Sequence, residues 1–227
     1  MKYEAVIFDL YGTLIDNLTG PPYREIITRM SSILSVPVDD FHRLWSATIR
    51  ERHTGVFRSV ADSLVHICHE LGVKPAESDV RLADEIRQDY VKKFMTRPKP
   101  DAVEVLSQLK RWGYRVGLIS NCTPETPVVW PDTPFFPLFD TAVFSSSAGL
   151  MKPDPSIYEI MVEQLAVIPD RCFYIADGVN GELAGALKAG MHPVRISFSD
   201  EDSVDLDLEE WDGPVISSLN EILTLVR

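Results

Sequence analysis

Four short stretches of this chain combine side chains that could carry out a displacement at an electrophilic centre. The first, Asp9-Leu10-Tyr11-Gly12-Thr13-Leu14, puts an acid where an apolar run gives way to a turn containing glycine. A carboxylate there is ionised at pH 7 and can attack phosphorus or carbon, and its covalent adduct divides one difficult displacement into two. Taken alone, the same acid could equally cap the turn that follows. The second stretch is Ser120-Asn121, a hydroxyl and an amide at the end of another apolar run. The third, Lys152-Pro153-Asp154-Pro155, reads as a loop entering a helix, with an ammonium placed to lean back over whatever precedes that helix. The fourth supplies two more carboxylates, Asp177 and Glu182, in a loop where Gly178 and Gly181 allow close backbone approach.

The elements that must position these groups follow from apolar patterning. Short runs rich in β-branched and aromatic residues occupy 5–8, 116–119, 142–144, 172–176 and 194–196, with helix-like segments between most of them. Runs of this kind are strands buried on both faces, and their alternation with helices predicts an α/β chain built on a mainly parallel, doubly wound sheet. In such sheets function gathers in the crevice at the strand C-terminal ends, and Asp9, Ser120 and Asp177 all fall at or just after such ends. Far more residues separate the first two strands than one crossover helix needs. Helical spacing at 23–34, 41–50, 60–71 and 80–94 predicts a four-helix insertion, entered near Asn17 and left near Arg97. A further helix is expected over 101–112, after the two prolines that return the chain to the core.

In their order along the chain, Asp9 to Leu14, Ser120-Asn121, Lys152-Pro153-Asp154-Pro155 and Asp177 with Glu182 resemble the four motifs of the haloacid dehalogenase-like hydrolase superfamily, in its subclass with a helical cap. The resemblance covers nearly the whole chain. It implies a Rossmann-like catalytic core from residues 1–16 and 99–227 with an inserted α-helical cap domain over 17–98. It also implies an intermediate covalently bound to Asp9. Asp9, Lys152 and Thr13 would then form the catalytic set, with Lys152 restraining Asp9 and neutralising the transferring group. Ser120, Asn121 and Tyr11 would contact substrate, the Thr13 and Ser120 hydroxyls holding its anionic oxygens. Asp9, Asp177 and Glu182 would converge, and three carboxylates repel unless a cation joins them. Mg2+ meets that need through Asp9, the main-chain carbonyl of Tyr11, Asp177 and Glu182, the last directly or through a water.

One position departs from the pattern. Phosphatases of the superfamily usually carry a second aspartate two residues after the nucleophile, where this chain has Tyr11, and Asp-x-Tyr-Gly-Thr resembles the first motif of the metal-independent 2-haloacid dehalogenases. Other positions oppose that reading. Dehalogenases follow a Leu-Trp pair in the cap with arginine, whereas Leu44-Trp45 is followed by Ser46, and one helical turn further on Arg50 or Arg52 is expected to point elsewhere. Their fourth motif also resembles serine and asparagine at the positions of Asp177 and Val179. An extra carboxylate beside Asp9 without a metal would be electrostatically costly, which favours magnesium-dependent hydrolysis of a small phosphorylated metabolite. The alternatives are a 2-haloacid dehalogenase and a catalytically weakened member that binds a ligand or partner.

Composition narrows the partners. The 227 residues are 45% hydrophobic and suffice for a full core, while a formal net charge of -12 disfavours nucleic acid, whose binding rests on clustered Lys and Arg. A small anionic substrate meeting that field needs a local cation. No long apolar run or export signal is seen, and three cysteines without paired spacing fit a reducing cytoplasm. Membrane association is not expected, and oligomeric state is left open. The five histidines show no metal-ligand spacing, Cys122 has no neighbour in sequence that would activate it, residues 130–139 are aromatics between prolines, and residues 199–210 form an acidic run expected to be a solvated loop.

Overall fold

A computed structural model describes residues 3–198 and 207–227, so most of the acidic run lies outside the described residues. Six strands form one sheet: β1 Ala5–Phe8, β2 Arg115–Ser120, β3 Thr141–Phe144, β4 Cys172–Ala176, β5 His192–Ile196 and β6 Val215–Ile216. Their order is β3-β2-β1-β4-β5-β6, with every neighbouring pair parallel. β1 and β4 are buried along their whole length, the mark of strands covered on both faces. The two faces belong to separate cores: Val6, Phe8, Phe173 and Ile175 point into one, Ala5, Ile7, Cys172 and Tyr174 into the other. The α/β, doubly wound, Rossmann-like arrangement predicted from the apolar runs is thus observed, and β6 is the strand that two residues of sequence did not betray.

Between β1 and the first helix of the sheet layers stand five helices: α1 Gly20–Ile33, α2 Val38–Ala47, α3 Ile49–His53, α4 Val60–Glu70 and α5 Glu77–Met95. Four were expected. The helix predicted over 41–50 ends at Ala47, where the Thr48 backbone leaves helical geometry (φ -97, ψ 17). The chain restarts as α3 one residue later. α4 opens on a reciprocal cap between Ser59 and Asp62. Met30, Phe41, Leu64 and Val91 of these helices join the same apolar cluster as Phe8 and Leu14, so the insertion rests on the end of β1.

The remaining helices are α6 Ala102–Arg111, α7 Glu125–Val129, α8 Ser145–Ala148, α9 Pro155–Leu165, α10 Glu182–Lys188 and α11 Ile222–Leu225. Val105, Leu109 and Ile222 of α6 and α11 cover one face of the sheet, and Tyr158, Met161 and Ala186 of α9 and α10 cover the other. All six strands run parallel, so their C-terminal ends share one edge of the sheet. The aromatics between prolines are mainly core: Trp130 and Phe135 are buried and stack with rings 6.2 Å apart, while Phe136 is half exposed.

Candidate active site

Asp9 continues the line of β1, its N–H donating to the Ile175 carbonyl of β4 at 2.9 Å. The chain then turns tightly, with the N–H groups of Leu14 and Ile15 both donating to Leu10 O (2.8 and 3.1 Å) and that of Gly12 to Ile15 O (2.8 Å). Gly12 has φ +78, and a β-carbon there would lie 1.9 Å from Asp177 Oδ2. Only a residue without a side chain lets this turn approach the acid at the end of β4.

Lys152 reaches the cluster from the loop before α9. Its main chain is fixed by Asn121, whose Oδ1 accepts from Lys152 N–H at 2.8 Å while its Nδ2 donates to Lys152 O at 3.0 Å. The buried ammonium then donates to Asp9 Oδ1 at 2.5 Å, to Tyr174 Oη at 3.0 Å and to Glu182 Oε2. Tyr174, on β4, donates in turn to Glu182 Oε2 at 2.7 Å, and Gly178 N–H donates to Glu182 Oε1 at 3.2 Å. Burial by itself would discharge the ammonium, but the carboxylates of Asp9 and Glu182 outweigh it and hold its pKa above the ordinary lysine value.

Asp177 completes the acids, its carboxylate accepting from Val179 N–H at 3.1 Å and from Asn17 Nδ2 at 3.4 Å. One oxygen from each of Asp9, Asp177 and Glu182 can be chosen so that all lie within 4.8 Å of one another. One lysine cannot neutralise three acids at that range. Burial, then Lys152 pulling down and Glu182 pushing up, leaves Asp9 at about 6. Burial reinforced by Glu182 and Asp9 pushes Asp177 up to about 8. Hard oxygen donors carrying excess negative charge are the donor set a small divalent cation takes, so the residues present fit Mg2+.

Of the remaining residues expected at the site, Thr13 is fully buried, and its hydroxyl donates to Asp9 Oδ2 at 3.2 Å. Ser120 Oγ, at the end of β2, is buried and has no hydrogen-bond partner among the described residues, a state that costs free energy until an acceptor or donor arrives. The amide of Asn121 is used on the Lys152 main chain, although Asn121 also lines the cavity over Asp9. The Tyr11 phenol pairs with Thr126 Oγ1 of α7 at 2.9 Å, and burial pushes its pKa above the ordinary tyrosine value. It stays neutral at pH 7 and is a weak proton donor. Burial likewise drives the Cys122 thiol up to about 12, which leaves it unreactive.

The cavity above these groups encloses about 230 Å³, walled on the core side by Asp9, Lys152 and Asp177 and on the side of the inserted helices by Tyr23, Trp45, Arg52, His53 and Arg87. Arg52 was expected to point away, on the premise of one continuous helix. That helix ends at Ala47, and Arg52 of α3 stands on the cavity wall, while Arg50 lines a neighbouring depression. His53 also lines the cavity and, desolvated beside Arg52, is lowered to about 4 and stays neutral. The buried Arg87–Glu125 pair, 2.7 Å long, joins α5 to α7 and carried no signal in sequence, nor did Tyr174 or Asn17.

The profile described as haloacid dehalogenase-like hydrolase matches residues 3–190. Among similar proteins, a glyceraldehyde 3-phosphate phosphatase of Methanocaldococcus jannaschii is 26% identical over 230 residues, covering 99% of this chain and 97% of that protein. An (S)-2-haloacid dehalogenase of Burkholderia cepacia is 23% identical over 204 residues, covering 86% of this chain and 83% of that protein. A solved HAD family enzyme of Bacteroides thetaiotaomicron, in a magnesium complex, superposes with a TM-score of 0.67 at 18% identity, over 89% of this chain and 96% of that one.

Proposed function

The chain belongs to the haloacid dehalogenase-like hydrolases, and we propose that within them it is a magnesium-dependent phosphohydrolase acting on a small phosphorylated metabolite. The observation that carries this reading is Asp177, a third buried carboxylate within 4.8 Å of Asp9 and Glu182, where among the described residues Lys152 alone forms an ion pair with the cluster, through Asp9 and Glu182. A metal-independent site gains nothing from that repulsion. The orphaned hydroxyl of Ser120 supports it as well, since a phosphoryl oxygen would satisfy it. The full-length likeness to a phosphatase and the magnesium complex of a structural neighbour agree.

In this reading a carboxylate oxygen of Asp9 attacks phosphorus, the bond to the leaving oxygen breaks, and water then hydrolyses the aspartyl phosphate to free Asp9 and inorganic phosphate. Thr13 orients the attacking carboxylate through its bond to Asp9 Oδ2. Lys152, held by Asn121 and Tyr174, offsets charge on Asp9 and on the transferring group. Asp9, Asp177 and the Tyr11 carbonyl would hold Mg2+, with Glu182 doing so directly or through a water. When bound, the ion supplies charge neutralisation to the cluster and to the phosphoryl oxygens. The inserted helices would move as a cap about the crossings near Asn17 and Arg97. A small anionic substrate, without nucleic acid or membrane, completes the proposal. No helix among the described residues is long and apolar enough to cross a membrane. A reducing, cytoplasmic setting is part of the proposal, and the three unpaired cysteines agree with it.

Tyr11 favours the second reading, a 2-haloacid dehalogenase. Assaying p-nitrophenyl phosphate and L-2-chloropropionate side by side, each with magnesium and with a chelator, separates the two. Phosphate release that requires magnesium is expected. Chloride release indifferent to chelator would replace the proposal with the dehalogenase, and no turnover of either would leave the weakened binder.

A further inference from the structure

The wall contributed by the inserted helices holds a charge that the chemistry at Asp9 does not use. Arg52 is fully enclosed and fixed: Nη1 donates to Thr48 Oγ1 at 2.8 Å, Nη2 to the Trp45 carbonyl at 2.6 Å, and Cζ lies 3.8 Å from the centroid of the Trp45 ring. Both acceptors are neutral and Nε has no partner. Among the described residues no carboxylate forms an ion pair with Arg52, whereas Arg87 nearby is answered by Glu125 at 2.7 Å. Desolvation pulls the Arg52 guanidinium down to about 10, the charges of Glu125 and Glu51 offsetting part of that pull, and it is still protonated at neutral pH. A buried cation left unpaired is costly, and this one stands in the wall of the cavity that contains Asp9 and Lys152.

We infer that the substrate carries, besides the phosphoryl group presented to Asp9, a second anionic group of carboxylate type that takes Arg52 as its counter-charge at the far end of the cavity. This rests on the phosphohydrolase reading for the first group but not for the second. A guanidinium already oriented by two neutral acceptors and an indole loses little freedom when a carboxylate arrives, and its planar fork matches that anion. Trp45 Nε1 donates to Tyr23 Oη at 2.9 Å, which leaves the Tyr23 hydroxyl on the same wall with a proton of its own to give. His53 beside it is neutral and does not compete for the anion. The enclosure from water keeps the attraction strong, because low-dielectric surroundings screen it weakly.

The test compares 3-phosphoglycerate with glycerol 3-phosphate, which has a hydroxymethyl group in place of the carboxylate. Binding of each to the Asp9→Asn protein with magnesium is measured by calorimetry, so that turnover does not intervene. The acid is expected to bind on the order of 10- to 100-fold more tightly, the range for charge-assisted hydrogen bonds. Adding Arg52→Gln should bring the ratio toward one, and Arg52→Lys should keep part of it. Equal affinities, failure of both esters to bind, or a preference that survives Arg52→Gln would overturn the inference; the first two need no change at Arg52 and so do not depend on how that variant folds. Wild-type kcat/KM on the same esters and on p-nitrophenyl phosphate separates the two readings. Hydrolysis without preference for the acid sinks the Arg52 site alone. Absence of hydrolysis together with an Arg52-dependent binding preference sinks the phosphohydrolase reading alone.

Discussion

Replacing Asp177 by Asn is expected to stabilise the metal-free protein at pH 8 while weakening its hold on magnesium. At an effective dielectric of about 20, two unit charges 4.8 Å apart repel by roughly 3.5 kcal/mol. Lys152 offsets part of this, so relief of about 2 kcal/mol is a fair expectation. Asn keeps the shape and can still accept from Val179 N–H, the shorter of the two bonds to Asp177. The pH dependence has a definite sign. Asp177 is raised in the folded state from 3.8 to about 8, so across that window the folded protein holds a proton that the unfolded chain has lost. Stability of the metal-free wild type therefore falls as pH rises from about 3.8 to about 8, and the amide has no such loss. The assay is thermal unfolding with a chelator at pH 5 and pH 8. For a protein of this size about 2 kcal/mol corresponds to a midpoint roughly 4 to 8 °C higher for the variant at pH 8, with most of the gap closed at pH 5. Saturating magnesium should reverse the order. A variant that melts lower than wild type at pH 8 without metal, or a gap of equal size at pH 5, would refute the reasoning about the cluster.

Asp9→Asn should abolish turnover and leave the fold intact, checked by activity beside circular dichroism; substantial residual activity in pure variant would remove Asp9 as nucleophile. Tyr11→Asp should speed hydrolysis of alkyl phosphates by part of the ~10²- to 10⁴-fold that general acid catalysis gives and change aryl phosphates with acidic phenols little. A series of esters of graded leaving-group pKa reads this, and parallel slopes in the two proteins would mean that Tyr11 does not stand at the acid position. Gly12→Ala should cripple activity and destabilise the fold by at least about 1–3 kcal/mol, because it meets both a positive φ and the Asp177 carboxylate; a denaturant midpoint within error of wild type would contradict the turn geometry.

How far the chain could be read without coordinates follows from which interactions are local. Strands β1 and β4 are short runs of apolar residues because a parallel strand covered on both faces needs apolar side chains on both. That requirement is written in consecutive residues. Asp9, Ser120 and Asp177 followed from the same signal, since the position after a strand end is a matter of counting. The length between β1 and β2 likewise announced an insertion. Other features depend on residues distant in sequence that tertiary packing alone brings together. The Lys152 ammonium meets Asp9, Tyr174 and Glu182 only because β1, β4 and the loop before α9 end at one edge of the sheet. Thr13 turned out to bond Asp9, and Asn121 the main chain of Lys152, because side-chain direction is settled by the neighbours available. Arg52 shows the distinction within a few residues: helical spacing sent it away from the cavity, whereas the chain ends one helix at Ala47, begins another at Ile49 and sets Arg52 on the wall. Sequence by itself determined the hydrolase family and where the candidate reacting groups stand along the chain, because those groups sit at local landmarks. Tertiary structure alone decided which charges are buried, which are answered and what the cavity can hold, because burial and pairing belong to the packed whole.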